Sequence, residues 1–171
     1  MPDFTIREEA SRDHGRVRQI LEAAFGRPDE AELVATLRTS AAPRLSLVAE
    51  LRGEPVGHIF FSPVCIEGPA LSPPSAGLAP LAVAPEFQRQ GAGSLLVRAG
   101  LAACVTLEWQ AVFLLGAPAY YARFGFVLAA PLGLRYESEL FDSGFQVLEL
   151  VGGALSDCRG RVRYHEAFSK L

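Results

Sequence analysis

The sequence predicts an α/β protein, helices layered on a sheet, and three observations carry that expectation. Apolar residues recur at helical spacing in two early segments, and elsewhere they alternate at period two or run continuously over short stretches bounded by turn residues. A strand-like stretch near residue 80 also passes through a glycine loop directly into a helix. Strands and helices mixed in this way imply a sheet covered by helices, although strand order does not follow from the pattern.

Phe4 to Arg7 reads as a first strand, followed by a helix with Val17, Ile20, Leu21 and Ala24 at helical spacing and Asp13 placed to cap it. Gly26 and Pro28 punctuate its end, and Asp29 opens a second helix with Leu33, Val34 and Leu37 on one face. Leu45, Leu47, Ala49 and Leu51 alternate with polar residues, Arg52 to Pro55 is the turn, and Val56 to Val64 is apolar on both faces, as an internal strand should be. The proline-rich stretch Pro69 to Ser75 reads as a surface loop. Leu78 to Val83 is then a strand, Pro85 to Gly93 a loop, and Ser94 to Ala103 a helix with Leu95, Leu96, Ala99 and Ala103 inward. Ala111 to Leu115 is a buried strand, Pro118 suits the first turn of a short helix through Phe124, and Phe126 opens a further strand. Phe145 to Val151 and Arg161 to Tyr164 complete the strands.

The 171 residues fit one domain spanning 1–171, and half of them are apolar, enough for a sizeable core. A net charge of −3 offers no broad positive field, so nucleic acid is not expected as a partner. The start MPDFTIREEA has neither the basic nor the apolar part of a signal peptide, and the run from Ala111 to Ala122 is too short to span a bilayer. A cytoplasmic enzyme without membrane contact is the expectation. Cys65, Cys104 and Cys158 are widely spaced, with no paired metal or redox half-site, and read as buried thiols. His14, His58 and His165 lack the spacing of a metal pair, so no metal is expected. Of these His58 is the one whose strand could turn it into a cleft as a base.

The loop Gln88-Arg89-Gln90-Gly91-Ala92-Gly93 carries the chemistry. A strand that ends in a glycine loop and opens a helix leaves unpaired N–H groups at the positive end of the helix dipole, which is an anion site. Gly91 and Gly93 let a diphosphate approach the backbone closely, and Arg89 adds a cation. A dinucleotide fingerprint would need a glycine where Leu96 stands, and a Walker loop needs Gly-Lys, a pair found nowhere in the chain.

The remaining spacing is Gln or Arg, two residues, Gly, one residue, then Gly or Ala, and here the sequence resembles the GNAT acetyltransferase family. LAPLAVAPEFQRQGAGSLLV (Leu78 to Val97) is similar to the family's strand, loop and helix, and APAYYARFGF (Ala117 to Phe126) to its later short helix and strand. The ending GRVRYHEAF is similar to a subgroup described as predicted N-acetyltransferases.

The resemblance implies a mostly antiparallel central sheet flanked by helices, acetyl-CoA as cosubstrate, and transfer of its acetyl group to an amine in a ternary complex. It implies that Leu81, Ala82 and Val83 line the pantetheine arm. Gln88, Arg89, Gln90, Gly91, Ala92, Gly93 and Ser94 would hold the pyrophosphate, and Tyr121, four residues before Gly125, would protonate the departing sulfur. Tyr121 as a buried aromatic whose hydroxyl finds one partner is the alternative. The chain departs from the family's commonest pattern in two places. Gly116, Ala117 and Pro118 stand where an Asn is often found, and Leu78 to Val83 holds no carboxylate, which favours a water relay as base. The acceptor, a small-molecule amine or a protein or peptide amine, is not legible, and a homodimer stays open. An acyl-CoA-binding regulator, or a transferase for another acyl group, would keep the same loop.

Overall fold

The structure is a computed structural model that describes residues 2–171. The chain divides into two compact units. The first holds the chain up to Ser62, Ala79–Ala103 and Glu166–Leu171; the second holds Pro63–Leu78 and Cys104–His165. The α/β expectation holds: the strands pair mostly antiparallel, and helices flank them.

In the first unit β1 (Thr5–Glu8) pairs antiparallel with β2 (Leu45–Leu51), and β2 with β3 (Glu54–Glu67). β4 (Ser75–Val83) lies next to β3. The β2–β3 turn is tighter than expected, because β3 begins at Glu54 and leaves only Arg52 and Gly53 between the strands. β4 likewise starts at Ser75, inside the stretch read as loop. α1 (His14–Phe25) buries Val17, Ile20 and Leu21, and α2 (Asp29–Ser40) buries Leu33, Val34 and Leu37. Asp13 does not cap α1 with its side chain. Its carboxylate instead accepts from the Ala10 N–H at 2.7 Å and pairs with Arg7, which holds it at a pKa of about 2.

α3 (Ala92–Thr106) is longer than expected at both ends. Its inward stripe is Leu96, Val97, Gly100 and Cys104 rather than one containing Leu95, which is 41% exposed. The reason is packing: a Cβ on Gly100 would lie 2.5 Å from the Phe61 ring, so β3 sets which face of α3 is buried. Phe61 faces α3, and by strand alternation His58 faces the opposite side, towards Arg38 of α2.

In the second unit β4 pairs parallel with β5 (Ala111–Leu115), β5 antiparallel with β8 (Phe145–Glu149), and β8 with the two-residue β6 (Val127–Leu128). Phe126 is buried but precedes that strand. The end of β3 pairs with β9 (Gly160–Arg163), and β9 with a short β7 (Leu134–Arg135) that the pattern did not suggest. Phe113 stacks on Phe145 with centroids 5.6 Å apart, in a core closed by Val64, Ile66, Val147 and Val162. α4 (Pro118–Tyr121) is one turn, continued by a 3-10 turn over Ala122–Phe124.

Candidate active site

Within the first unit, β4 delivers the chain to the glycine loop. The Ala84 N–H bonds to the Val56 carbonyl at 2.8 Å, and a 3-10 turn over Pro85–Phe87 follows. The loop is braced by its own side chains: Gln88 Nε2 donates to the Val83 carbonyl at 3.0 Å, and Gln90 Nε2 to the Glu86 carbonyl at 3.0 Å. Gln88 and Gln90 therefore shape the loop as well as lining it. Arg89 has φ +59° and Gly91 φ +100°, both left-handed. For a non-glycine residue that conformation costs on the order of 1–3 kcal/mol and collects at ligand-binding turns.

The consequence is a set of amides aimed outward. The Leu95 N–H bonds to the Gly91 carbonyl at 3.1 Å, so the N–H groups of Ala92, Gly93 and Ser94 precede the first intrahelical bond of α3. Ala92 is 1% exposed, while Gly93 and Ser94 are half-buried. Arg89 is exposed, and among the described residues no carboxylate pairs with it. These residues fit a diphosphate: unpaired amides at a helix N-terminus, a glycine that admits close approach, and an uncommitted cation. Leu81 and Val83 are half-buried and Ala82 is buried, in the part of β4 beyond the Ser75–Gly77 ladder with the next strand, where backbone groups can bond to an extended ligand.

In the second unit Tyr121 ends α4, its ring edge-on to Tyr120 at 4.9 Å and to Phe126 at 5.9 Å. Burial, helped by Tyr120, pushes its phenol up to about 12. Among the described residues its hydroxyl has no hydrogen-bond partner. Two neighbours that sequence reasoning passed over position it. A Cβ on Gly116 would lie 2.7 Å from Tyr121 Cε2, so only glycine leaves room for the ring. Gln146, 1% exposed, donates from Nε2 to the carbonyls of Gly116 and Gly144, each at 3.1 Å, and pins the end of β5. An amide between Phe145 and Val147 on an apolar strand was the available signal for Gln146.

Arg123 donates to the Tyr120 carbonyl at 2.9 Å and covers that ring, and Glu86 is exposed. The cysteine expectation needs one correction: Cys104 and Cys158 are buried, but Cys65 is exposed, at an outward position near the end of β3. Burial pushes the Cys104 thiol up to about 12, far from a thiolate nucleophile. His58 is fully buried, with Nε2 2.8 Å from Ser46 Oγ and 3.6 Å from the Glu9 carboxylate. Desolvation outweighs the pull of Glu9 and lowers its pKa to about 4, so it is a neutral interior group and not a base in a cleft. Among the described residues, no group of three or more His, Cys, Asp or Glu could hold a metal ion, and no helix is long and apolar enough to cross a membrane.

Residues 14–126 match the Acetyltransferase (GNAT) family, and the chain belongs to that family of acyltransferases. Its relatives include an uncharacterized N-acetyltransferase, YhbS, of Escherichia coli K12, 39% identical over 167 residues that cover 97% of this chain and 99% of the relative. The crystal structure of the E. coli GNAT protein YhbS in complex with CoA superposes with a TM-score of 0.91 at 37% identity, covering 99% of this chain and 93% of that one. A GNAT acetyltransferase from Brucella melitensis in complex with acetyl-CoA gives 0.80 at 36% identity, covering 98% and 99%.

Proposed function

We propose that this chain is a cytoplasmic, single-domain N-acetyltransferase that uses acetyl-CoA to acetylate an amine of a small molecule or of a protein or peptide. The observation that carries it is the glycine loop, whose free amides, left-handed Gly91 and unpaired Arg89 suit a diphosphate. The two similar structures that hold CoA and acetyl-CoA support the choice of ligand.

When bound, the cosubstrate supplies an acetyl thioester. The amides of Ala92, Gly93 and Ser94 and the Arg89 guanidinium hold its diphosphate, while the backbone of Leu81 and Val83 bonds to the extended arm beside Ala82. Gln88 and Gln90 keep the loop in shape. The neutral acceptor amine attacks the thioester carbonyl, whose oxygen is polarised by N–H groups near Val83. As the carbon–sulfur bond breaks, the Tyr121 hydroxyl gives its proton to the sulfur. The amine's surplus proton leaves through water, since Leu78 to Val83 carries no carboxylate, and solvent returns a proton to Tyr121.

That missing carboxylate is also what favours a second reading, an acyl-CoA-binding regulator without turnover. Thermal unfolding with and without acetyl-CoA tests the shared part. At a hundred times Kd a ligand of the native state adds about 2.7 kcal/mol, roughly 5–11 °C in Tm for a chain of this size. Gly91→Asp should abolish the shift, because any side chain is strained at φ +100° and a carboxylate repels the diphosphate. An unshifted wild type at saturating acetyl-CoA would remove both readings.

A further inference from the structure

We propose that the first unit holds a second ligand site, for a small oxyanion (a carboxylate or a phosphate), in the cavity lined by the end of β1, the start of β2 and the end of α2. The cavity measures about 570 Å³, within the range of small-molecule sites. Its wall comes from the end of β1, the start of α1, the end of α2 and the start of β2, and no residue of the glycine loop lines it.

A fixed cation forms part of the wall. Arg38 Nε and Nη2 donate to the two Glu9 oxygens at 2.8 and 2.7 Å, and the Glu9 side chain is only 4% exposed. Such a bidentate pair sets the plane of the guanidinium and cancels the glutamate charge. It leaves Arg38 Nη1 without an acceptor among the described residues. Arg44, also on the wall, spends only Nη1, on the Ala41 carbonyl at 3.3 Å, so Nε and Nη2 stay available. His14 and Ser11 add further polar groups.

Against these donors stands the Glu8 carboxylate, which is exposed and screened by water. With Glu9 neutralised by Arg38, the free donors on the wall are Arg38 Nη1 and Arg44 Nε and Nη2, which suit a ligand made of acceptor oxygens. Behind the wall, Ser46 meets fully buried His58, whose Nδ1 has no partner.

The test is a titration of the full chain with succinate and, separately, with inorganic phosphate, followed by amide NMR shifts. Saturable shifts at residues 8–14 and 38–46 are expected, weakened at least tenfold by Arg44→Gln, an exposed substitution whose fold is checked by its melting curve. Response to succinate identifies a carboxylate site and response to phosphate a phosphate site; either supports the proposal. Gly91→Asp separates this cavity from the glycine loop, itself an anion site, and should leave these shifts unchanged. Shifts confined to residues 88–94, no saturable shift with either probe, or equal binding by Arg44→Gln would overturn the proposal.

Discussion

Replacing Tyr121 by phenylalanine removes one oxygen and keeps the ring in its contacts with Tyr120, Phe124 and Phe126. The fold should therefore be nearly unaffected, since the hydroxyl has no partner to lose among the described residues. Its proposed work arises only as charge develops on the departing sulfur, so the loss should fall on kcat and not on acetyl-CoA affinity. A positioned acid contributes at least about a hundredfold, or roughly 2.7 kcal/mol of barrier. Because burial holds the phenol near 12, it stays protonated through the working range, and the wild-type pH–rate profile should show no basic limb from it below about pH 10. The assay is steady-state kcat and KM with a good acceptor, beside Tyr120→Phe, which should keep nearly full turnover. Wild-type turnover in Tyr121→Phe would refute the reasoning and return Tyr121 to a packed aromatic.

Two further outcomes follow from the same geometry. Gly116→Ala places a methyl 2.7 Å from the Tyr121 ring and should lower kcat towards that of Tyr121→Phe while acetyl-CoA affinity holds; full turnover in this variant would show that the ring position is immaterial. His58 has its pKa lowered from 6.5 to about 4 in the folded chain, so the unfolded chain binds more protons between those values and stability falls as pH drops through that window. From pH 7 to pH 5 the loss should be about 2 kcal/mol, read from denaturant midpoints, and His58→Gln should flatten it; an unchanged slope would mean that His58 is not buried neutral.

What was legible in the sequence was local. The glycine loop could be read because a strand, two glycines and a helix start are contiguous, and the loop's amides are set by backbone geometry. α1, α2 and β5 were legible for a similar reason, since each carries a full period of apolar residues between turn signals. Leu95 was misplaced because the buried face of α3 is chosen by Phe61, 39 positions away, against Gly100. β7 and β6, two residues each, are too short to leave a period. The Glu9–Arg38 pair spans 29 residues and Gln146–Gly116 spans 30, and no sequence spacing announces such partners.

The central claim is acetyl transfer to an amine, and free thiol released from acetyl-CoA measures it most directly. The purified chain, incubated with acetyl-CoA and a panel of small amines and peptides, should release thiol in an acceptor-dependent manner, with an equal yield of acetylated product by mass spectrometry and none from Gly91→Asp. Acetyl-CoA binding without thiol release from any acceptor would contradict transfer and leave a binding protein.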